Sequence, residues 1–278
     1  MSKMSFFYWH RDTDWSYTIR GRQMADYLCA EHNPQQPSAG STCVLIKMLP
    51  YMLGRRRGTY VFDNPYWLDP IDRWEDVEYL RRKPHIPFIV SGLLAVHTLS
   101  GTHTNRIAHI PHHHCNYLRQ QRPEGEITRI GYVGNMRAMR HDLTTASNVF
   151  RARGFEFVLP TSPIRTREDL IRFYSTIDIQ LAWRPPVHPI VAVLKNPLKV
   201  VNAASFGIPT ISCPDPSYST ELPGVYLEAE SMDDAGAIAS RLRDSPALYQ
   251  EMSERAREAS EAYHIEKIGQ LYRALPNV

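Results

Sequence analysis

The sequence predicts an α/β protein made of two domains, each built around a parallel sheet. The chain has 278 residues, a length that suits one large domain or two small ones. Short apolar runs alternate with helical stretches, which is typical of parallel sheets covered by helices. A polar segment with proline and glycine at 120–126 separates two such series. We therefore predict domains at 1–122 and 127–278, with a ligand cleft between them at the carboxyl ends of the strands.

The first half follows the alternation less regularly than the second. A helix is predicted at about 18–30, followed by a loop rich in proline, serine and glycine at 33–41. The predicted strands, from their apolar and β-branched residues, are 6–10, 42–47, 59–62, 87–91 and 106–111. The first half of the sequence therefore predicts an N-terminal domain that is reduced in size.

The second half alternates clearly between strands and helices. Gly154 and Gly207 stand where helices are expected to end. Asn196 is a good N-cap, and Pro197 suits the first helical position after it. The predicted strands are 127–134, 155–160, 178–183, 209–213 and 224–228, and the predicted helices are 142–153, 166–175, 197–206 and most of 231–274.

The composition excludes several classes of protein. With 43% apolar and 22% charged residues the chain suits a globular protein. No run of about 18 apolar residues predicts a transmembrane helix, and the first residues lack the apolar stretch of a signal peptide. The four cysteines lie far apart, which favours reduced thiols over a disulfide framework. We expect a cytoplasmic protein.

Charge is distributed unevenly along the chain. The net charge of +3 divides into +4 for residues 1–125 and −1 for the remainder. The basic runs 55–57 and 81–83 lie in the first half and are either solvated loops or contacts for a phosphate-bearing acceptor, such as a lipid phosphate, a polyanionic glycan or DNA.

A dense histidine group raises the question of a metal site. The group consists of His109, His112, His113, His114 and Cys115. Neighbouring residues of an extended segment point to opposite faces, so few of these side chains can converge on one ion. The sequence therefore predicts no metal site here, and the group is better explained as an interdomain or active-site rim. One of these histidines could face the cleft and act as a base.

The strongest local signal is the segment 195–211. Lys195 precedes a predicted helix start, and Lys199 lies in the first turn, where a cation opposes the helix dipole unless an anion is bound. Asn202 lies three residues further on, on the same helix face as Lys199. The pattern is compatible with an anion site and also with an ordinary amphipathic helix.

This segment, together with Glu221, resembles the donor-binding signature of GT-B-fold glycosyltransferases, in which such a helix is followed by Gly-x-Pro and two hydrophobic residues. The run 130–134, with Asn135 and Arg137, is similar to the opening of the C-terminal domain of the glycosyl transferases group 1. The resemblance covers about 127–275. It implies two Rossmann-like domains and an enzyme that uses a nucleotide sugar, with UDP as the expected nucleotide.

The resemblance also implies roles for individual residues. Transfer breaks a C–O bond to a diphosphate leaving group, whose charge a metal-independent site stabilises with cations and helix N-termini. The donor-binding residues it implies are Gly134, Asn135, Arg137, Lys195, Lys199, Asn202 and Glu221, with Asn202 at the ribose or distal phosphate and Glu221 at a sugar or ribose hydroxyl. No metal and no cofactor besides the nucleotide-sugar co-substrate are expected.

The acceptor side is less defined. Asp12 and Asp14, in the loop after the first predicted strand, are the candidate general bases that would deprotonate an acceptor hydroxyl, with Asp63 as a second choice. Many retaining members of the family carry two glutamates eight positions apart, where this chain has Leu194 and Asn202. Retention and inversion therefore both stay open.

Two alternatives accompany the transferase hypothesis. One is a glycosyltransferase that modifies hydroxylated bases in DNA, which the basic first half would permit. The other is a protein of the same fold that binds a nucleotide or nucleic acid without catalysis.

Overall fold

The computed structural model describes residues 3–8, 15–49, 64–136, 139–184 and 188–276. The strands are β1 (Met4–Phe7), β2 (Glu31–His32), β3 (Thr42–Ile46), β4 (Tyr66–Asp69), β5 (Phe88–Val90), β6 (Ile107–His109), β7 (Arg129–Gly131), β8 (Glu156–Val158), β9 (Ile179–Leu181), β10 (Thr210–Ser212) and β11 (Leu227–Glu228). The α-helices are α1 (Met24–Leu28), α2 (Trp74–Arg81), α3 (Leu93–Ser100), α4 (Arg140–Ala152), α5 (Arg167–Tyr174), α6 (Pro189–Val193), α7 (Leu198–Ala204), α8 (Pro216–Glu221), α9 (Met232–Asp244), α10 (Pro246–Ser260) and α11 (Ile265–Arg273). A π-helical segment, Tyr17–Gln23, precedes α1, and a 3-10 turn, Glu261–Tyr263, follows α10.

The chain forms two compact units, which we call unit 1 and unit 2. Unit 1 contains Met1–His113, His188–Asn196 and Ile265–Val278. Unit 2 contains His114–Val187 and Pro197–His264. The predicted boundary at 122–127 thus lies inside unit 2, and the last helix belongs to unit 1.

In unit 1 the described strands form one parallel sheet, in the order β2-β1-β3-β4-β5-β6. The residues of β1, β3 and β5 are all buried, as expected for a parallel sheet with both faces covered. Leu194, from the segment after α6, packs into the same core as Leu45, Leu68 and Phe88. This apolar contact explains why the segment 188–196 belongs to unit 1.

In unit 2 the described strands form a second parallel sheet, in the order β11-β10-β9-β7-β8. Ile130, Ile179 and Ile211 from three adjacent strands lie in one core cluster with residues of α4 and α9. The prediction of two α/β domains with parallel sheets is therefore confirmed.

Local sequence accounts for several helix starts in unit 2. Thr166 and Asp169 form a capping box at α5, in which the Thr166 hydroxyl accepts from the Asp169 amide. The Ser231 hydroxyl accepts from the Asp234 amide at the start of α9, the Ser245 hydroxyl accepts from the Leu248 amide at the start of α10, and Pro246 occupies the first turn of α10. These caps confirm the helices predicted near 166–175 and 231–274.

The predicted elements differ from the structure at several ends. The first strand begins at Met4 rather than residue 6. The helix predicted at 18–30 is π-helical in its first part and ends at Leu28, with Cys29 as its C-cap at a φ of 52°. The strand predicted at 59–62 lies outside the described residues, and the structure has a strand at Tyr66–Asp69. None of the helices within these described ranges combines the length and apolar character needed to cross a membrane.

Candidate functional site

The strand order of unit 2 creates a crevice between two strand ends. From β7 the chain moves to β8 on one side of the sheet and then to β9 on the other side. At such a topological switch point the connections leave the sheet in opposite directions, and ligands bind outside the carboxyl ends of the two strands. Tyr132 follows β7, and Trp183 lies two residues after the end of β9. We call this place the unit 2 switch point.

The ammonium group of Lys199 lies at the unit 2 switch point. Its Nζ donates to the Tyr132 hydroxyl over 3.2 Å and to the Trp183 carbonyl oxygen over 3.3 Å. The ammonium also lies 4.5 Å from the centre of the Tyr132 ring, within the range of a cation–π contact. One lysine therefore connects the ends of both strands, and its side chain is half-buried.

Helix α7 fixes the base of this side chain. Val200, Val201 and Ala204 are buried in an apolar cluster with Tyr218 and Leu222 of the neighbouring α8 region. Because these positions are packed, the backbone at Lys199, the residue before them, is held rigidly.

The start of α7 differs from the prediction. The helix begins at Leu198 with Pro197 as its N-cap and without a side-chain cap, so the predicted cap at Asn196 is wrong by one residue. The φ and ψ of Pro197, −84° and 24°, lie outside the helical region.

Gly134 leaves room for the Lys199 side chain. Its φ is +154°, and a Cβ atom built there would lie 2.8 Å from both Cε and Nζ of Lys199 and 3.0 Å from the Tyr132 hydroxyl. The predicted donor-binding residues Gly134 and Asn135 are both exposed beside this contact. A side chain at this position would therefore force the Lys199 ammonium to move.

Replacing Gly134 by alanine should therefore displace the ammonium. We expect UDP affinity to fall about tenfold and the free energy of unfolding to fall by about 1 kcal/mol, because alanine is strained at this φ. Calorimetric UDP titration and thermal unfolding measure the two effects. Gly40→Ala is the matched control, since Gly40 also has a positive φ, +72°, but no atom within 4 Å of its added Cβ. Equal UDP affinities for the two variants would contradict the role given to Gly134.

Asn202 and Glu221 both have partners inside unit 2. The Asn202 Oδ1 accepts from the Cys115 backbone N–H over 2.9 Å, and Asn202 is only 5% exposed. Glu221 is the last residue of α8, whereas the sequence placed it in a loop. Its Oε1 accepts from the Tyr263 hydroxyl over 3.0 Å. Both contacts tie the segments of unit 2 together, and contact of either residue with a nucleotide or sugar stays a prediction.

Lys195 lies in unit 1, so the two lysines of the predicted signature belong to different units. Its Nζ is 3.8 Å from Asp72 Oδ2, and the same carboxylate binds the Lys47 ammonium over 2.8 Å. These two ammonium groups lower the pKa of Asp72 against the opposing effect of burial. Asp72 is therefore ionised at neutral pH and partly neutralises Lys195.

Several predicted residues cannot be placed. The candidate bases Asp12, Asp14 and Asp63, the donor-binding candidate Arg137 and the basic run 55–57 lie outside the described residues.

His112, His113, His114 and Cys115 of the histidine group are buried, and His109 is half-buried. His113 Nε2 lies 3.1 Å from the Ile19 carbonyl oxygen, and burial lowers the pKa of His112 well below its usual value. In the described ranges, three or more His, Cys, Asp or Glu side chains nowhere come together as they would need to for a metal ion.

Sequence reasoning missed Tyr132 and Arg184 at the unit 2 switch point. The Arg184 Nη1 lies 3.0 Å from Asp215 Oδ2, and its guanidinium lies 4.3 Å from the centre of the Tyr218 ring. Arg184 follows the predicted strand 178–183, and that position was the signal that could have identified it. Tyr132 lies inside the predicted strand 127–134, whereas the strand in the structure ends at Gly131.

Comparison with known proteins gives a fold but no sequence family. No protein-family model matches the chain, and no curated protein matches it significantly by sequence. The structure of Anabaena Alr3699/HepE in complex with UDP and glucose is similar, with a TM-score of 0.66 and 9% identity. The match covers 98% of each chain.

A second similar structure is the pneumococcal O-GlcNAc transferase GtfA in complex with UDP and GlcNAc. Its TM-score is 0.57, its identity is 13%, and the match covers 84% of this chain. The match spans only 56% of the pneumococcal chain. Together with the two parallel sheets, these similarities show that the chain has the GT-B glycosyltransferase fold.

Proposed function

We propose that this protein is a glycosyltransferase that moves a sugar from a nucleotide-sugar donor, a UDP-sugar, to a hydroxyl group of an acceptor. The observation that carries the proposal is the Lys199 ammonium at the unit 2 switch point, between the ends of β7 and β9. Ligands of open parallel sheets bind at that position. The fold supports the proposal, since both similar structures were determined with UDP and a sugar.

The chemistry needs a positive charge at this place. When the bond between the sugar carbon and the diphosphate oxygen breaks, negative charge grows on the diphosphate. A preformed cation stabilises that charge more in the transition state than in the bound donor. Lys199 is the described residue to which we assign this task, and Arg137 and Lys195 are kept as further proposed donor-binding residues.

The remaining parts of the proposal concern the acceptor side and the metal. Asp12 or Asp14 would accept the proton of the acceptor hydroxyl as general base. We also propose that the cations of the chain replace a divalent metal. Asp12 and Asp14 are only two positions apart, a spacing that also suits two ligands of one divalent metal ion. Turnover that is equal with and without EDTA is the result we expect if one of them is the general base. Loss of turnover in EDTA would show that the pair holds a metal ion instead.

Thermal unfolding with a panel of nucleotides tests the proposal. Because a ligand that binds only the folded state stabilises it, UDP at a hundred times its dissociation constant should add about 2.7 kcal/mol to the free energy of unfolding. We expect UDP and UDP-sugars to raise the unfolding midpoint and uridine to leave it nearly unchanged, since uridine lacks the diphosphate. Release of UDP from a UDP-sugar then distinguishes an enzyme from a binding protein. A panel in which no nucleoside diphosphate raises the midpoint would contradict the proposal.

A further inference from the structure

Tyr132 places a hydroxyl group in the core of unit 2. The residue is 0% exposed, and its ring lies in the cluster that contains Ile130, Met139 and Leu143. Burial raises the pKa of Tyr132 above its usual value, so the phenol stays protonated. Within the part of the chain that the structure describes, the hydrogen-bond partner of this hydroxyl is the Lys199 ammonium.

Core packing alone does not account for this hydroxyl. A phenylalanine would fill nearly the same volume and would avoid the cost of taking a hydroxyl out of water. The polar atom must therefore be explained by what it contacts. It accepts a hydrogen bond from a half-buried cation, and the face of the same ring supports that cation at 4.5 Å. A flexible lysine has several rotatable bonds, and these two contacts restrict its ammonium to the strand ends.

We propose that Tyr132 is a positioning residue that holds the Lys199 ammonium where the diphosphate of the donor binds. The inference rests on the proposed function, because it assigns to Tyr132 an effect on the same site. The ring and hydroxyl act through Lys199, since Tyr132 itself is fully buried. The arrangement prepares the cation before the donor arrives, which reduces the loss of side-chain entropy on binding.

Tyr132→Phe tests the inference with two readouts, the UDP dissociation constant and the unfolding midpoint. We expect the dissociation constant for UDP to rise about tenfold, because the hydrogen bond that orients the ammonium is lost. The unfolding midpoint should stay the same or rise, because the ring still fills the core. A purely structural role would instead lower the midpoint and leave UDP affinity unchanged, and that result would overturn the inference.

Tyr174→Phe is the matched control. Tyr174 is also 0% exposed in unit 2, and its hydroxyl has no hydrogen-bond partner among the described residues. Its ring lies against Phe173 and Phe206 rather than a lysine. UDP affinity should be unchanged in this variant. An equal loss of affinity in both variants would show a general effect of core hydroxyls and would overturn the inference.

A double-mutant cycle separates action through Lys199 from other effects. In a Lys199→Met background, Tyr132→Phe should change UDP affinity by less than twofold, since the group that Tyr132 positions is absent. A full tenfold loss in that background would overturn the inference. If the wild-type protein binds UDP and the Tyr132→Phe variant binds it equally well, the inference about Tyr132 is overturned and the proposed function is not. Wild-type protein that binds no UDP overturns the proposed function and the inference with it.

Discussion

Replacing Lys199 by methionine is expected to weaken UDP binding by about 10- to 100-fold. A hydrogen bond to a charged group contributes about 1.5–3 kcal/mol, and each 1.4 kcal/mol is a factor of ten in affinity. Methionine keeps a similar length and apolar stem, so the packing of α7 should survive. UDP titration by calorimetry measures the change.

Two opposing effects set the stability of the same variant. Lys199 is the second residue of α7, where a cation is unfavourable with respect to the helix dipole. Its removal also leaves the buried Tyr132 hydroxyl without its hydrogen-bond partner, so we expect the free energy of unfolding of the nucleotide-free protein to fall by about 1 kcal/mol. Lys267→Met is the matched control, because Lys267 is an exposed lysine of α11 in unit 1. If both variants bind UDP as the wild type does, Lys199 is not the diphosphate ligand.

Replacing Arg20 by methionine is expected to destabilise unit 1 by about 3–5 kcal/mol, the usual cost of breaking a buried ion pair. Arg20 is 1% exposed, and its Nε donates to Asp69 Oδ2 over 2.7 Å. Its Nη1 donates to the carbonyl oxygens of Ile110 and Pro111. The variant would leave the Asp69 carboxyl, which is 0% exposed, without its cation. Thermal unfolding of the full chain measures the loss.

A second variant distinguishes the charge from the packing. Asp69 has its pKa raised by burial, and the Arg20 guanidinium opposes that rise. Replacing both residues, Arg20→Met with Asp69→Leu, removes the uncompensated carboxyl and should recover part of the lost stability. A double variant less stable than Arg20→Met would show that the carboxyl is not the source of the loss.

The fold could be predicted because it depends on local patterns. Strands such as Phe88–Val90 and Ile179–Leu181 are buried throughout, and short apolar runs between helical segments predict buried parallel strands. The capping residues Thr166, Ser231 and Ser245 are equally local signals.

The division into units could not be predicted, because it depends on contacts between distant parts of the chain. Leu194 packs with Leu45 and Phe88, and this contact places the segment 188–196 in unit 1. No pattern near Leu194 shows which core it joins. For the same reason the sequence pattern places Lys195 and Lys199 in one signature, although Lys195 lies in unit 1 and Lys199 lies in unit 2.

The candidate site was predicted only in part. Lys199 and Gly134 were identified from the motifs that contain them, and the structure brings these two residues together. Tyr132 was not identified, because an aromatic residue in an apolar run predicts core packing. Its contact with Lys199 joins residues 67 positions apart and follows from the sheet order.

The measurement that tests the central claim most directly is a crystal structure of the protein with UDP bound. Our account predicts a diphosphate oxygen within about 3 Å of Lys199 Nζ, outside the ends of β7 and β9. A diphosphate bound elsewhere, beyond hydrogen-bond distance of Lys199 Nζ, would contradict it.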